Sequence, residues 1–208
     1  SKLVIMGDHG QLSSIGACNV FFDLLKEGNI PIVELTRIHR QAQASAIISK
    51  SIEIRQQKQI FKRGFEGREI LGELQDLELD ITLDPSKMYE KVLQQFREKL
   101  NSLNNDISKL QVVVPMRVRG DVSAYQLNNG LQAIYNNTRA FDSNSSLIKS
   151  MGKDKEYEMF VGDKVINVKN DYNATDINGR NRPIFNGNMG IITEINIDEG
   201  YLIVDFIG

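Results

Sequence analysis

Short apolar runs alternate with amphipathic segments over the first 136 residues, and this alternation limits the possible fold more than any other feature. Residues 3–6 are wholly apolar and end at Gly7-Asp8, and residues 18–26 carry apolar side chains at helical spacing. Residues 30–35 predict a second strand, and residues 42–57 predict a second helix. Short apolar strands separated by helices are typical of an open parallel sheet. The sequence therefore predicts an α/β fold.

The pattern continues to residue 136 and then changes. Pro85 predicts the start of a helix that reaches residue 103, after a less regular segment at 60–84. A buried strand at 110–116 and a helix at 122–135 are expected next. Residues 137–150 are polar and rich in Ser and Asn, which predicts a linker. Beyond residue 160, strands separated by Gly and Asn turns predict a small antiparallel barrel or sheet without helices.

Composition excludes several classes of protein. With 25 basic and 27 acidic residues the net charge is −2, which excludes a strongly basic DNA-coating protein but permits a local basic groove. No run approaches the roughly 20 apolar residues that span a bilayer, so no membrane partner is expected. The single cysteine, Cys18, and the lack of a signal peptide predict a cytoplasmic protein. Strand-like runs at both ends suggest an excised piece of a longer protein.

The first candidate site is the turn after the first predicted strand, Gly7-Asp8-His9-Gly10-Gln11-Leu12. Asp8 and Gln11 are expected at the carboxyl end of that strand, where open α/β sheets bind their ligands. Glycines allow the backbone to approach a phosphate, and a glutamine orients water or contacts a phosphate in other phosphoryl-transfer sites. The alternative, which spacing alone favours, is an ordinary turn with Asp8 as a helix cap.

The second candidate site is Arg40, between the second predicted strand and its helix. A guanidinium there would neutralise charge on a transferring phosphate, or it would form a surface ion pair with Glu34. His9 and His39 are the only histidines, and with no cysteine partner they predict no metal site. A Walker A loop is absent from the sequence, so no nucleotide site in it is complete.

Four segments together resemble the RecD-like branch of superfamily 1 DNA helicases, which includes the alpha subunit of exodeoxyribonuclease V. Residues 3–16 resemble its third motif, Gly-Asp-x-x-Gln-Leu-Pro-Ser-Val-Gly, and residues 32–45 resemble its fourth. Val114-Pro115-Met116, with Gly120 and Leu127 to Gln132, is similar to its sPMrrG…LN..LQ element. Phe160 to Ile166, with Asn170-Asp171-Tyr172 and Phe185 to Gly190, is similar to its GDkVi…NnY…vfNGd.G.i block. Ser13 replaces the motif proline, and His39 replaces a frequent Phe.

The resemblance implies a partial RecA-like parallel-sheet motor domain followed by a small all-β SH3-like barrel. Residues 1–29 would end the first motor domain, 30–136 would form part of the second, and 137–208 would be the inserted barrel. The implied activity is that of an ATP-dependent DNA helicase or translocase, moving 5′ to 3′, in recombination or repair. ATP and Mg²⁺ would bind the full-length parent, and this fragment would be inactive alone. The implied partners are single-stranded DNA and the subunits of a RecBCD-like nuclease complex.

The resemblance also gives individual residues their roles. Gln11 and Arg40 would be catalytic, and Gly7 and Asp8 would join them in binding the nucleotide. Tyr172 would stack on a base, although an exposed tyrosine in a turn is often only a turn residue. The full set of expected nucleic-acid contacts is Pro115, Met116, Arg117, Asn128, Lys169, Asn170, Tyr172 and Asn186, with Arg180 as a further candidate.

Other interpretations stay open at this point. The basic cluster Lys62, Arg63 and Arg68 is either a phosphate contact or a solvated helix end. The chain could also be a non-catalytic nucleic-acid- or protein-binding module built on the barrel. A third alternative is a different P-loop enzyme that shares the Gly-Asp-x-x-Gln element by chance.

Overall fold

A computed structural model describes residues 3–8, 19–35, 44–136, 147–150 and 156–207. The architecture is mixed α/β with small antiparallel sheets. The chain forms two compact units, Ser1–Leu83 and Asp84–Gly208. This division falls inside the predicted domain 30–136, and the predicted domain boundaries stay predictions.

The described residues of the first unit include two helices and a hairpin. Helix α1 spans Val20–Glu27 and ends at Gly28, whose left-handed φ of 74° fits the stop predicted there. Helix α2 spans Ala46–Arg55, and strands β1, Gly67–Leu71, and β2, Leu77–Ile81, form an antiparallel hairpin.

A carboxylate from the hairpin caps helix α2. Asp76 accepts hydrogen bonds from the Ser45 hydroxyl and from the Ala46 amide, the latter at 2.8 Å. Ser45 itself accepts from the Ile48 amide at 3.3 Å. These two acceptors satisfy amide donors that a helix start leaves without partners. The Ser45 hydroxyl above all lowers the pKa of Asp76 below its ordinary value.

The second unit begins with a helical core. A short 3₁₀ turn at Pro85–Lys87 leads into helix α3, Met88–Ser102, and a second turn lies at Ile107–Lys109. Helix α4 spans Ala124–Tyr135. The apolar faces of α3 and α4 bury four side chains against each other: Phe96, Leu100, Leu127 and Leu131.

The second unit continues into two antiparallel sheets. Strands β3, Leu147–Ser150, and β4, Glu156–Met159, pair with each other. Strands β5, Lys164–Ile166, β6, Met189–Asn196, and β7, Tyr201–Phe206, form a sheet in that order. No helix interrupts the described residues 156–207, which agrees with the prediction for this region.

The three strands predicted for a parallel sheet are absent from the structure. Residues 3–8, 31–35 and 110–114 have no regular secondary structure, and every strand pair among the described residues is antiparallel. A strand requires a hydrogen-bonding neighbour, and no described segment supplies one here. Consequently apolar side chains stay exposed, with Leu35 at 95 % and Val113 at 86 %.

Two segments are more regular than the sequence predicts. The predicted linker 137–150 contains β3, because its end pairs with β4. The irregular segment 60–84 contains the β1–β2 hairpin.

Candidate nucleic-acid interface

The described part of the expected nucleotide site does not form a phosphate cradle. A Cβ atom at Gly7 would lie 3.0 Å from the Phe21 ring, so this glycine faces an aromatic side chain. The Asp8 carboxylate lies 3.1 Å from the guanidinium of Arg55 on α2, and both side chains are partly exposed. Gln11 and Arg40 lie outside the described residues. The helix-cap role considered for Asp8 involves residues that follow it in sequence and lie outside the described ranges, so it stays a prediction.

The loop of residues 115–123 closes onto the N-terminus of α4. The carbonyl oxygens of Met116 and Arg117 accept hydrogen bonds from the amides of Ala124, at 2.9 Å, and Tyr125, at 3.0 Å. The fully buried Ser123 side chain accepts from the Gln126 amide at 3.4 Å. These bonds fix the loop backbone through its carbonyl groups. Pro115, Met116 and Arg117 remain exposed.

An open groove of about 1690 Å³ is lined by two of the predicted nucleic-acid residues. They are Arg117 from the loop and Asn128 from α4. The groove is also lined by strand β7 and by part of the segment between β5 and β6, including Asn167 and Arg182. The helical core and the β-sheet of the second unit thus share one concave surface.

The charges along the groove are mixed. Three cationic and four anionic side chains line it: Arg117, Lys164, Arg182, Glu158, Asp163, Asp176 and Asp205. Asp163 is only 4 % exposed, and Asp176 accepts two backbone amides of its own turn. The Lys164 ammonium donates to the carbonyl oxygens of Ile107 and Leu110, and burial lowers its pKa. The exposed arginines are able to meet a polyanion, and they share the groove with the exposed carboxylates of Glu158 and Asp205.

The other four predicted nucleic-acid residues lie on the segment 167–188 between β5 and β6, which we call the asparagine hairpin. Lys169, Asn170, Tyr172 and Asn186 are exposed, but none of them lines the groove. The Asn170 side chain supports the hairpin itself, since it accepts from the Asn186 amide at 2.8 Å and donates to the Tyr172 hydroxyl at 3.1 Å. Asn170 thus has a structural role, and Lys169 and Tyr172 stay available as contacts.

A buried carboxylate that the sequence interpretation did not single out joins the helices to the sheet. Asp163 accepts hydrogen bonds from the Gln132 amide group, from Asn136 Nδ2 at 2.7 Å and from the Phe160 amide at 2.8 Å. The Tyr135 hydroxyl lies 3.5 Å away and accepts from the Lys164 amide. Burial and the nearby carboxylate raise the pKa of Tyr135.

Asp163 and Gln132 belong to two different segments of the family resemblance. The sequence feature that could have indicated their contact is that each segment places a polar residue within an otherwise apolar pattern. Phe185 was also missed, although it contacts Tyr172 edge-on with ring centroids 6.2 Å apart.

The basic cluster of the first unit is partly neutralised. Arg68 on β1 forms an ion pair with Glu78 on β2, whereas Lys62 and Arg63 are exposed in the preceding loop. Within the described ranges, no group of three or more His, Cys, Asp and Glu side chains is placed to hold a metal ion.

A family model described as an AAA domain matches residues 1–71. The match indicates a helicase-like ATPase domain of the AAA or RecA type over the first third of the chain. No solved structure matches the chain. Among the described residues, no helix has both the length and the apolar character needed to cross a membrane.

Proposed function

We propose that this chain is part of an ATP-dependent DNA helicase or translocase of the RecD-like type, and that its second unit binds single-stranded DNA. The observation that carries the proposal is the shared groove of Arg117 and Asn128, which come from separate segments of the resemblance. The AAA-domain match at residues 1–71 supports the ATPase half of the proposal.

The proposal includes a finer fold assignment. In the longer parent, the apolar segment 3–8 would form a strand of the first RecA-like sheet, and segments 31–35 and 110–114 would form strands of the second. Strands β5, β6 and β7 belong to an SH3-like barrel. The exposure of Leu35 and Val113 supports the first assignment, because apolar side chains in soluble domains are normally covered.

The described residues alone do not fit ATP and Mg²⁺. Gly7 packs against Phe21, Asp8 pairs with Arg55, and the sequence has no Walker A loop. We therefore propose that the nucleotide is held mainly by the longer parent. By resemblance, Gln11 and Arg40 would contact it there. The 208-residue chain alone is expected to show no ATP turnover.

The alternative function, a binding module without a motor, predicts that the groove binds a protein partner. Strand β7 is at one edge of its sheet among the described residues, and it lines the groove along its whole length. An edge strand of this kind can accept an added strand from a protein partner. A strand-adding partner would bind with little dependence on salt, which distinguishes it from DNA.

The salt dependence of DNA binding tests the proposal. For single-stranded DNA, the logarithm of the association constant falls against the logarithm of salt concentration with a slope of about −0.7 for each phosphate contacted. If Arg117, Lys169 and Arg182 each contact one phosphate, the slope should be about −2. Affinity should then drop about 20-fold between about 50 and about 200 mM salt. Fluorescence anisotropy with labelled oligothymidylate measures this directly.

A matched pair of variants locates the contacts. Arg117→Ala should reduce the slope by about 0.7. Arg97→Ala, an exposed arginine on α3 that does not line the groove, should leave it unchanged. Absence of binding, or a slope near zero, would refute the single-strand proposal.

A further inference from the structure

Backbone hydrogen bonds join the two arms of the asparagine hairpin, and asparagine side chains add further hydrogen bonds to the backbone. Asn167 Nδ2 donates to the carbonyl oxygens of Lys169, at 2.6 Å, and Phe185, at 3.2 Å. Asn188 Oδ1 accepts from the Phe185 amide at 2.7 Å. Asn181 Nδ2 donates to the Tyr172 carbonyl at 3.0 Å. The backbone of both Tyr172 and Phe185 is therefore fixed before any ligand arrives.

Two aromatic rings protrude from this fixed backbone. Tyr172 is 62 % exposed and Phe185 is 50 % exposed, although large rings in folded domains are normally buried. The rings lie edge to face, with centroids 6.2 Å apart and planes at 79°. Asn170 Nδ2 donates to the Tyr172 hydroxyl at 3.1 Å, which restrains that ring. The pair thus presents ring faces to solvent in a fixed geometry.

The hairpin that carries the rings also carries three cations and two carboxylates. Lys169, Arg180 and Arg182 lie on the same hairpin, and no described carboxylate is within salt-bridge distance of them. The hairpin carboxylates Asp171 and Asp176 accept backbone amides of their own turns. Exposed rings on a hairpin with more cations than carboxylates fit a ligand that combines flat π-systems with negative charge.

We propose that Tyr172 and Phe185 form a stacking site for unpaired nucleobases, with the hairpin cations meeting the adjoining phosphates. The inference rests on the proposed single-strand binding and adds its mode, which is base stacking without base-edge readout. The perpendicular arrangement allows a base to stack on one ring while its edge meets the other ring. Bases in a duplex are already stacked, so the site selects single strands.

The experiment compares two ligands of equal charge. Fluorescence anisotropy measures binding of the 208-residue chain to an oligothymidylate of about 16 nucleotides and to an abasic oligomer of the same length. The abasic strand keeps the phosphates and lacks the bases. We expect the base-containing strand to bind about tenfold more tightly or better. Tyr172→Ala and Phe185→Ala should each remove most of this preference, while the binding of the abasic strand stays unchanged.

Two further variants separate stacking from folding. Tyr172→Phe keeps the ring and should keep the preference for bases. Ile197→Ala removes an exposed apolar side chain that lies outside both the hairpin and the groove, and it should change neither affinity.

Each other outcome overturns the inference in a recognisable way. Equal binding of the two strands by the unaltered chain would refute stacking and leave single-strand binding intact. A preference for bases that survives both alanine substitutions would mean that the bases are bound elsewhere. No binding of either strand would refute both the stacking site and the proposed function.

Discussion

Asp163→Asn is expected to destabilise the second unit strongly, because Asp163 satisfies three nitrogen donors at once, two of them buried. An asparagine has the same shape, but it offers one acceptor oxygen and adds an amino group among donors. At least one of the N–H groups of Gln132, Asn136 and Phe160 would lose its partner. A buried donor without a partner costs about 1–3 kcal/mol, and the misplaced amino group adds a similar amount. The expected loss in the free energy of unfolding is therefore about 3 kcal/mol.

Urea unfolding followed by far-ultraviolet circular dichroism measures this loss. With a denaturant dependence of about 1.5 kcal/mol per molar urea, the midpoint should fall by about 2 M. Asp198→Asn is the matched control, since Asp198 is exposed in the turn between β6 and β7, and its effect should stay within about 0.5 kcal/mol. A midpoint for Asp163→Asn that coincides with the control would refute the reasoning about the buried donors.

Two further predictions concern a glycine and a helix cap. Gly190→Ala should destabilise the sheet by about 1–3 kcal/mol in the same urea assay, because the new Cβ would lie 2.6 Å from the Asp205 carbonyl oxygen of the paired strand; an unchanged midpoint would contradict this. The folded state lowers the pKa of the Asp76 carboxyl, so its hydrogen bonds stabilise the fold fully when the pH is above the ordinary pKa of 3.8. This stabilisation is lost as the pH falls through the lower pKa of the folded state. Thermal unfolding of Asp76→Asn should therefore differ from that of the unaltered chain at neutral pH, and the difference should shrink at the acid end; a constant difference would contradict the assignment.

The helices could be predicted because each one carries its own local signals. Pro85 and the spacing of Phe96 and Leu100 define α3, and Gly28 marks the end of α1. These signals depend on residues three or four positions apart, so the sequence contains them fully. The antiparallel strands β6 and β7 were predicted for a similar reason, since a short turn joins them.

Local sequence signals do not decide whether a predicted parallel strand forms. An apolar run such as 31–35 becomes a strand only when a neighbour supplies hydrogen bonds, and its pattern says nothing of which neighbour is present. The β1–β2 hairpin was missed for the opposite reason. Strand β1 carries exposed side chains at three consecutive positions, Arg68, Glu69 and Ile70, so the alternation typical of a strand is weak although the pairing is regular.

The candidate site, too, could be predicted only in part from the sequence. Arg117, Asn128 and Tyr172 were identified by their motifs, but no motif indicated that Arg117 and Asn128 share a groove. The pairing of Tyr172 with Phe185 depends on the register of the asparagine hairpin. That register is set by backbone bonds between Asp171 and Ile184 together with asparagine side chains, and these partners are known only from the structure.

ATP turnover by the longer parent chain tests the central claim most directly. It is measured with and without oligothymidylate, in the unaltered protein and in Arg40→Ala. A DNA-dependent motor predicts strong stimulation by the single strand and its loss in Arg40→Ala, while the binding of the oligomer by the second unit persists. Absence of turnover at every DNA concentration, or turnover that neither DNA nor Arg40→Ala affects, would contradict the assignment as part of a DNA helicase or translocase.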